Sequence, residues 1–187
     1  MSCYPTSRQT GNPHVDVPAT RSNIEFTLQT YLSYSEKDAD DKIFVYIISD
    51  GLPADYSGNA HFSSTTGDIW ENDLRLWLPS TSHCLGLVVL LEICYSGAYD
   101  TIHGTNRICI DSCEAGRLAN IWTGPSGYAL FTDHWLSKID AGYSVEDAFY
   151  VAMNAVISES AGDPWNYDQY PQIDDQLNIG PTLLWSL

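Results

Sequence analysis

Basic residues are scarce in this chain of 187 residues, since 8 lysines and arginines stand against 24 aspartates and glutamates and leave a net charge of −16. A surface of that sign repels nucleic-acid phosphates and anionic lipid headgroups. The composition therefore argues against nucleic acid or a membrane surface as a partner, and it indicates an acidic, solvated exterior.

Long apolar runs are missing as well. The longest, around CLGLVVLLEIC, is shorter than the roughly 20 residues that a bilayer-spanning helix needs. The first 15 residues contain no apolar stretch of the kind found in signal peptides. We therefore expect a soluble domain without an export signal of its own. A location outside the cell would require a larger or exported parent chain.

Cysteine pairs at metal-binding spacing are also absent. The five cysteines form an odd set, so at least one thiol stays free unless it pairs with another chain: Cys3, Cys84, Cys94, Cys109 and Cys113. Cys109 and Cys113 are four residues apart, and no second pair or histidine lies at zinc spacing from them. The sequence predicts neither a metal ion nor a cofactor.

Apolar side chains, in contrast, are plentiful. They make up 44% of the chain and include six tryptophans, which is ample material for the core of one domain. We expect an irregular segment over residues 1–15, followed by a single domain over residues 16–187.

Helical and strand patterns alternate along that domain. Helices are predicted at 17–37, with Thr20 or Ser22 as cap, at 68–78, stopped by Pro79, at 127–142, ending at Gly142, and at 144–160, with Ser144 and Asp147 as a capping box. Strands are predicted at 43–49, buried on both faces, at 85–93, the strongest of the three, and at 106–111. The tail from Asp163 is predicted to be a loop that closes in an edge strand at 181–187. This alternation predicts an α/β/α sandwich around a mostly parallel sheet.

In such sheets, functional sites form beyond the carboxyl ends of the strands. Cys94 stands where the strongest strand ends, and the small residues Ser96 and Gly97 follow it. A thiol at that turn would be presented next to free backbone N–H groups, as an acyl-transfer nucleophile requires. The alternative is that Cys94 is one more small buried hydrophobic residue.

The segment LLEICYSGAY, with its E-x-C-x-S-G pattern, resembles the nucleophile strand of the caspase-like cysteine peptidases, and most closely that of the legumain type. The likeness extends over roughly residues 16–176 and includes YPQIDDQ at 170–176, which is similar to a segment that closes many prokaryotic members. It implies a caspase-like fold and a peptide or protein substrate. The first strand and helix of that family have no counterpart here, so either the sheet is one strand short or the chain is a fragment.

The resemblance also assigns roles at the end of the preceding strand. In that family this strand ends in His-Gly, the histidine acting as general acid/base and the glycine N–H forming an oxyanion hole with that of the cysteine. Here the two positions hold Asp50 and Gly51. An aspartate is a weak base, has no proton to donate near neutral pH and, as an anion, raises the pKa of a neighbouring thiol. Loss of a general acid/base typically costs on the order of 100- to 10,000-fold in rate.

Another histidine could replace the missing base. His61, in the loop that leaves Asp50, lies on the correct edge of the sheet and is the replacement that the sequence favours. His103 copies the His-Gly dipeptide but is expected at the opposite edge. Structural or solvated roles are expected for His83 and His134, and His14 lies in the irregular N-terminal segment.

Acidic residues gather at the same predicted edge: Asp50, Asp55, Glu92, Asp111 and Glu114. They could form a pocket that selects Arg or Lys, or a weak calcium site, or they could simply belong to a strongly acidic surface. The resemblance matches Glu92 to an acidic position two residues before the cysteine and Ser112 to a position near the substrate cleft. By itself it predicts cleavage after Asn or Asp.

Two functions therefore stay open. In the first, the chain is an inactive or impaired pseudopeptidase with a binding, structural or assembly role, which includes self-assembly, and Cys94 is left over or used for covalent capture. In the second, it is an active cysteine endopeptidase in which His61, or a histidine of a partner chain, serves Cys94.

Overall fold

The structure is a computed structural model that describes residues 17–31, 40–53, 60–78, 84–99, 102, 107–119, 129–161, 169–175 and 178–184. In chain order, its helices and strands are α1 (Arg21–Tyr31), β1 (Lys42–Ser49), β2 (Gly51–Leu52), β3 (His61–Ser64), β4 (Gly67–Trp70), α2 (Glu71–Trp77), β5 (Gly86–Ile93), β6 (Arg107–Asp111), α3 (Leu130–Asp140), α4 (Val145–Ser160) and β7 (Gln172–Asp174).

The main sheet has four strands in the order β1-β5-β6-β7. β1 runs parallel to β5 with Lys42 opposite Gly86 and Ser49 opposite Ile93, and β6 is also parallel to β5. Only β7 runs in the opposite direction. The carboxyl ends of β1, β5 and β6 therefore meet at one edge, as the sequence predicts for a mostly parallel sheet.

Helices cover both faces of this sheet. Odd-numbered residues of β5, such as Leu87 and Leu91, pack in a cluster with Leu28 of α1 and Leu74 of α2. Even-numbered residues, Val88 and Leu90, pack in a second cluster with residues of α3 and α4. The predicted three-layer α/β/α architecture is thus confirmed, and β5 is buried along its whole length.

β1 forms where expected, but the prediction that it is buried on both faces is wrong. Its side chains are mostly half-buried, and Ile48 is 49% exposed. The reason is its position, because among the described strands β1 lies at the edge of the sheet and has a neighbour only on the β5 side. An apolar run alone does not tell a central strand from an edge strand.

A small antiparallel sheet of β2, β3 and β4 follows β1 and was not predicted. Asp68, Ile69 and Trp70 were assigned to a helix, but they form β4, which pairs with β3 across a turn at Thr65 and Thr66. The apolar residues keep helical spacing across the junction of β4 and α2. The sequence pattern therefore does not show where the strand ends and the helix begins. α2 ends at Trp77, and Pro79 lies outside the described residues.

Local signals at the other helix ends are confirmed. The Thr20 hydroxyl accepts the N–H of Asn23 at the start of α1, and the Ser144 hydroxyl accepts that of Asp147 at the start of α4. After α3, Gly142 has a φ of 85°, the left-handed conformation that ends many helices.

The predicted tail is partly wrong. Gln172–Asp174 pairs with β6 as β7 rather than forming a loop. In the segment 181–187, Leu184 makes a single bridge to Ser144, and residues 185–187 lie outside the described part. The irregular segment predicted at 1–15 also lies outside it. Among the helices of the described residues, none has the length and apolarity to cross a bilayer.

Candidate active site

The carboxyl ends of β1 and β5 bring Asp50 and Cys94 side by side. Ser49 of β1 is opposite Ile93 of β5 in the parallel register. The residues that follow them, Asp50 and Cys94, are therefore also neighbours. Asp50 is exposed, whereas Cys94 is half-buried. The two residues that the sequence singled out at adjacent turns are therefore neighbours in the fold.

The turn after β5 holds the thiol in a constrained position. Tyr95 adopts φ 62°, a left-handed conformation that is uncommon outside glycine, and residues 96–98 form one turn of 3₁₀ helix. The Tyr95 N–H donates to the Arg117 carbonyl at 2.8 Å, and the Gly97 N–H donates to the Cys113 carbonyl at 2.9 Å. Two backbone bonds thus fasten the turn to the loop that follows β6.

The packing around positions 96 and 97 explains why the E-x-C-x-S-G pattern has small residues there. The Ser96 hydroxyl is buried and accepts the N–H of Cys113 at 3.1 Å. A Cβ on Gly97 would lie 2.7 Å from the Ala115 nitrogen and 2.7 Å from Oε1 of Gln172. A larger side chain at either position would force the turn and the loop after β6 apart.

Gly51 packs its backbone directly on that of Cys94. A Cβ at Gly51 would lie 2.0 Å from the Cys94 carbonyl oxygen, a separation that no real side chain tolerates. The thiol donates to the Ala119 carbonyl, 3.9 Å from the sulfur. The backbone N–H groups of Gly51 and of Cys94 itself lie close enough to the sulfur to oppose a rise of its pKa. We name Cys94, Gly51 and these two backbone N–H groups the thiol cradle.

The charge environment of the thiol is unfavourable for a nucleophile. Burial raises the pKa of Cys94, and the negative charge of Asp50 raises it further, while the backbone hydrogen bonds oppose both effects. A catalytic thiolate is usually stabilised by a cationic neighbour, which lowers the pKa. At neutral pH this cysteine is therefore held mainly as the thiol.

His61 lies in the strand β3 rather than in a loop. It opposes Leu52 in β2, while Phe62 opposes Gly51. Phe62 faces the core, so the alternation along β3 directs His61 to the other face, where its ring lies 4.2 Å from that of Trp70. Its Nε2 is 4.0 Å from a carboxylate oxygen of Asp68.

Glu92 is placed differently from the expectation that it lines a substrate pocket. It is completely buried and faces α3, on the same side of β5 as Leu90. Its Oε2 accepts the backbone N–H of Thr132 at 3.0 Å and the Thr132 hydroxyl at 2.6 Å, and its Oε1 accepts from Nε2 of Gln169 at 3.2 Å. A substrate cannot reach a carboxylate whose oxygens are enclosed in this way.

The remaining acidic residues are not brought together either. Asp111 is buried on the opposite face of the sheet, near Tyr99, because it alternates with Ile110 in β6. Glu114 lies 3.9 Å from the guanidinium of Arg117, and Asp55 lies outside the described residues. Ser112 is buried beside Glu92 and favours its charged form. Glu92 and Asp111 therefore do not share a pocket, and no cluster that could hold a metal ion occurs in the part of the chain that the structure describes.

Of the other histidines and cysteines, Cys113 contacts the turn that carries Cys94. His134 lies within α3, with Nε2 3.0 Å from Glu159, as its predicted structural role requires. His14, His83 and His103 lie outside the described residues. Cys84, Cys109 and Cys113 are buried, and Cys3 is outside the described part.

Arg117 is a neighbour of the site that sequence reasoning missed. Its guanidinium lies 5.2 Å from the centre of the Tyr170 ring, and its carbonyl accepts the N–H of Tyr95. The only signal was an isolated arginine, in a chain with very few basic residues, soon after the third predicted strand. Periodicity says nothing of a contact between residues 53 positions apart.

Comparison with known proteins identifies the fold. No family model and no curated protein sequence matches this chain. Caspase-1 from Spodoptera frugiperda superposes with a TM-score of 0.64 at 12% sequence identity, over 87% of this chain and 70% of that one. A Geobacter sulfurreducens protein solved as a structural genomics target gives a TM-score of 0.60 at 13% identity, over 90% and 79%. The chain therefore has a caspase-like α/β fold.

Proposed function

We propose that this chain is a legumain-like cysteine peptidase domain in which Asp50 occupies the position of the general base. Peptide turnover is then lost or strongly impaired, and the domain acts by binding a peptide or protein. The observation that carries the proposal is a preformed thiol cradle with a carboxylate at the place where a base is needed.

The cradle supports a binding role because its polar groups belong to the backbone. The N–H groups of Gly51 and Cys94 can donate to a peptide carbonyl or to a terminal carboxylate without any help from a histidine. Asp50 is exposed next to the cradle and offers a negative charge that a peptide can contact.

The same cradle is poorly equipped for turnover. Acyl transfer needs a thiolate to attack the carbonyl and an acid to protonate the leaving amine. Burial and the charge of Asp50 raise the pKa of Cys94, so little thiolate is present at neutral pH. An ionised aspartate has no proton to give to the amine.

The alternative is an active endopeptidase that uses His61 or a histidine of a partner chain. One observation favours His61, since its Nδ1 is buried and has no hydrogen-bond partner among the described residues. The contacts of His61 with the Trp70 ring and the Asp68 carboxylate weigh against it, because they hold the imidazole against β4. Selection of Arg or Lys would require the acidic cluster, which the described residues do not form. Cleavage after Asn or Asp, which rests on the resemblance, is therefore the specificity to test first.

The test is cleavage of a mixed peptide library by the natural chain and three variants: Asp50→His, Asp50→Asn and Cys94→Ala. We expect the natural chain to be silent and Asp50→His to gain activity of at least about 100-fold, the usual contribution of a general acid/base. Asp50→Asn is the matched control, because it removes the negative charge without supplying a base. If Asp50→Asn gained as much activity as Asp50→His, a missing base would not be the reason why the natural chain is silent.

Cleavage by the natural chain that Cys94→Ala abolishes would refute the pseudopeptidase proposal and make His61→Ala the next variant. If neither the natural chain nor Asp50→His cleaves any peptide, binding remains to be measured. Retention of library peptides on immobilised Cys94→Ala, weakened by a Gly51→Ala change in the cradle, would support the binding role, and no retention would refute it.

A further inference from the structure

Glu92 lies two residues before Cys94, yet neither candidate function uses its carboxylate. It is an acid in a strand whose other residues are apolar or glycine, and it is completely buried. A buried carboxylate needs hydrogen-bond donors to be tolerated. Its donors come from two segments that are remote in sequence, the start of α3 and residue Gln169.

At α3, Glu92 acts as the N-terminal cap. The residue at the cap position, Ala129, has no side chain that could accept a hydrogen bond. Glu92 accepts from the N–H and hydroxyl of Thr132, the third residue of the helix. A side chain of the strand β5 thus takes the place of the cap that Ala129 cannot provide.

At Gln169, the same carboxylate holds a second segment. Nε2 of Gln169 donates to Glu92, and its backbone N–H donates to the Ser160 hydroxyl at the end of α4. The next residue, Tyr170, lies under the guanidinium of Arg117. Gln172, two residues further on, closes against Gly97 in the turn that carries the thiol.

Residues 169–172 therefore touch both parts that fix Cys94. Tyr170 contacts the loop whose Arg117 carbonyl accepts the Tyr95 N–H, and Gln172 contacts the turn at Gly97. We name residues 169–172 the cleft wall. It is joined to the sheet by β7 at one end and by the Glu92–Gln169 bond at the other.

We infer that Glu92 is a positioning residue, which holds the cleft wall against the thiol cradle through Gln169, an inference that rests on the proposed role of Cys94. Glu92 itself touches no substrate. It acts on the site through the cleft wall and Arg117, and it links the geometry of the cradle to that of α3.

The test uses a swap of the two hydrogen-bonding groups. Gln169→Glu places a second carboxylate next to Glu92, and we expect the repulsion to release the cleft wall. Adding Glu92→Gln to that variant restores one amide and one carboxylate, because Gln at 92 can accept from Thr132 and donate to Glu at 169. Glu159→Gln is the control, since it neutralises an exposed glutamate of α4 that does not contact the cleft wall.

The readout is hydrogen exchange of the Tyr95 amide, which donates to Arg117, together with the rate at which iodoacetamide alkylates Cys94. At pH 8 we expect Gln169→Glu to exchange about tenfold faster at Tyr95, as local opening allows, and to be alkylated faster. The swap should return both rates to those of the natural chain. The described groups that face Glu92, namely Thr132, Gln169 and Ser112, are uncharged, so at pH 5 the two carboxyls of Gln169→Glu can share a proton and the effect should shrink.

Unchanged rates in Gln169→Glu, failure of the swap to restore them, or an equal effect of Glu159→Gln would each overturn the inference. If Gln169→Glu does not fold, Gln169→Ala, which removes the bond without adding a charge, must show the faster exchange instead. Neither readout requires turnover, so silence of Asp50→His would bear only on the proposed function, and unchanged exchange would refute only the role of Glu92.

Discussion

Replacing Glu92 by Gln should change how stability depends on pH. Burial, the largest effect, raises the pKa of Glu92 from 4.5 to about 7, although hydrogen bonds from Thr132 and Gln169 oppose the rise. The folded state therefore holds this proton more tightly than the unfolded state does. The stability that comes from this proton is fully present below pH 4.5 and is lost as the pH rises through about 7.

The size of the effect follows from the pKa in the two states. A carboxyl whose pKa rises from 4.5 to about 7 contributes about 3 kcal/mol of pH-dependent stability, all of which is absent at pH 8. Gln has the same shape and carries no titrating proton. Relative to the natural chain, Glu92→Gln should therefore gain stability between pH 5 and pH 8.

The assay is urea unfolding at pH 5, 6, 7 and 8, followed by the fluorescence of the six tryptophans. The quantity of interest is the difference between the two proteins, because the titration of all other groups is common to both. Asp140→Asn, a change of equal charge at an exposed residue of α3, should keep the pH dependence of the natural chain. Parallel curves for Glu92→Gln and the natural chain would refute the reasoning about this carboxyl.

Two further predictions concern the thiol cradle. Gly51→Ala should lower the free energy of unfolding by about 1–3 kcal/mol, as overpacking does, because its Cβ would lie 2.0 Å from the Cys94 carbonyl oxygen; urea unfolding measures it, and a neutral substitution would contradict the contact. Asp50→Asn should shift the pH midpoint of Cys94 alkylation downwards, because the charge of Asp50 raises the pKa of this thiol; an unchanged or higher midpoint would show that the charge does not act on it.

The sequence predicts most of the main sheet because the strongest pattern coincides with the most buried strand. The run from Gly86 to Ile93 has no polar residue except Glu92, and only a central strand covered on both faces suits it. The helices α3 and α4 are equally clear, since Gly142 and Ser144 mark the boundary between them. Sheet order is not encoded in such patterns, which is why the edge position of β1 was missed.

The site is predictable only where chemistry and local structure coincide. Gly51 and Cys94 come just after β1 and β5, and the parallel register of these strands brings the two residues together. The role of Glu92 does not follow, although one signal was present: an acid in a strand predicted to be fully buried must find donors. Gln169 and Thr132 could not be identified as those donors, because their approach depends on how α3 and α4 pack.

The packing of Gly51 on Cys94 also has a consequence for the order of folding. These two residues are about 40 positions apart, and closing a loop of that length costs more conformational entropy than pairing β2 with β3 or β3 with β4. The small antiparallel sheet can therefore form early from local contacts, while the thiol cradle exists only after β1 has paired with β5. In a newly made chain, the Cys94 thiol would therefore lack its backbone neighbour Gly51 until the parallel core is complete.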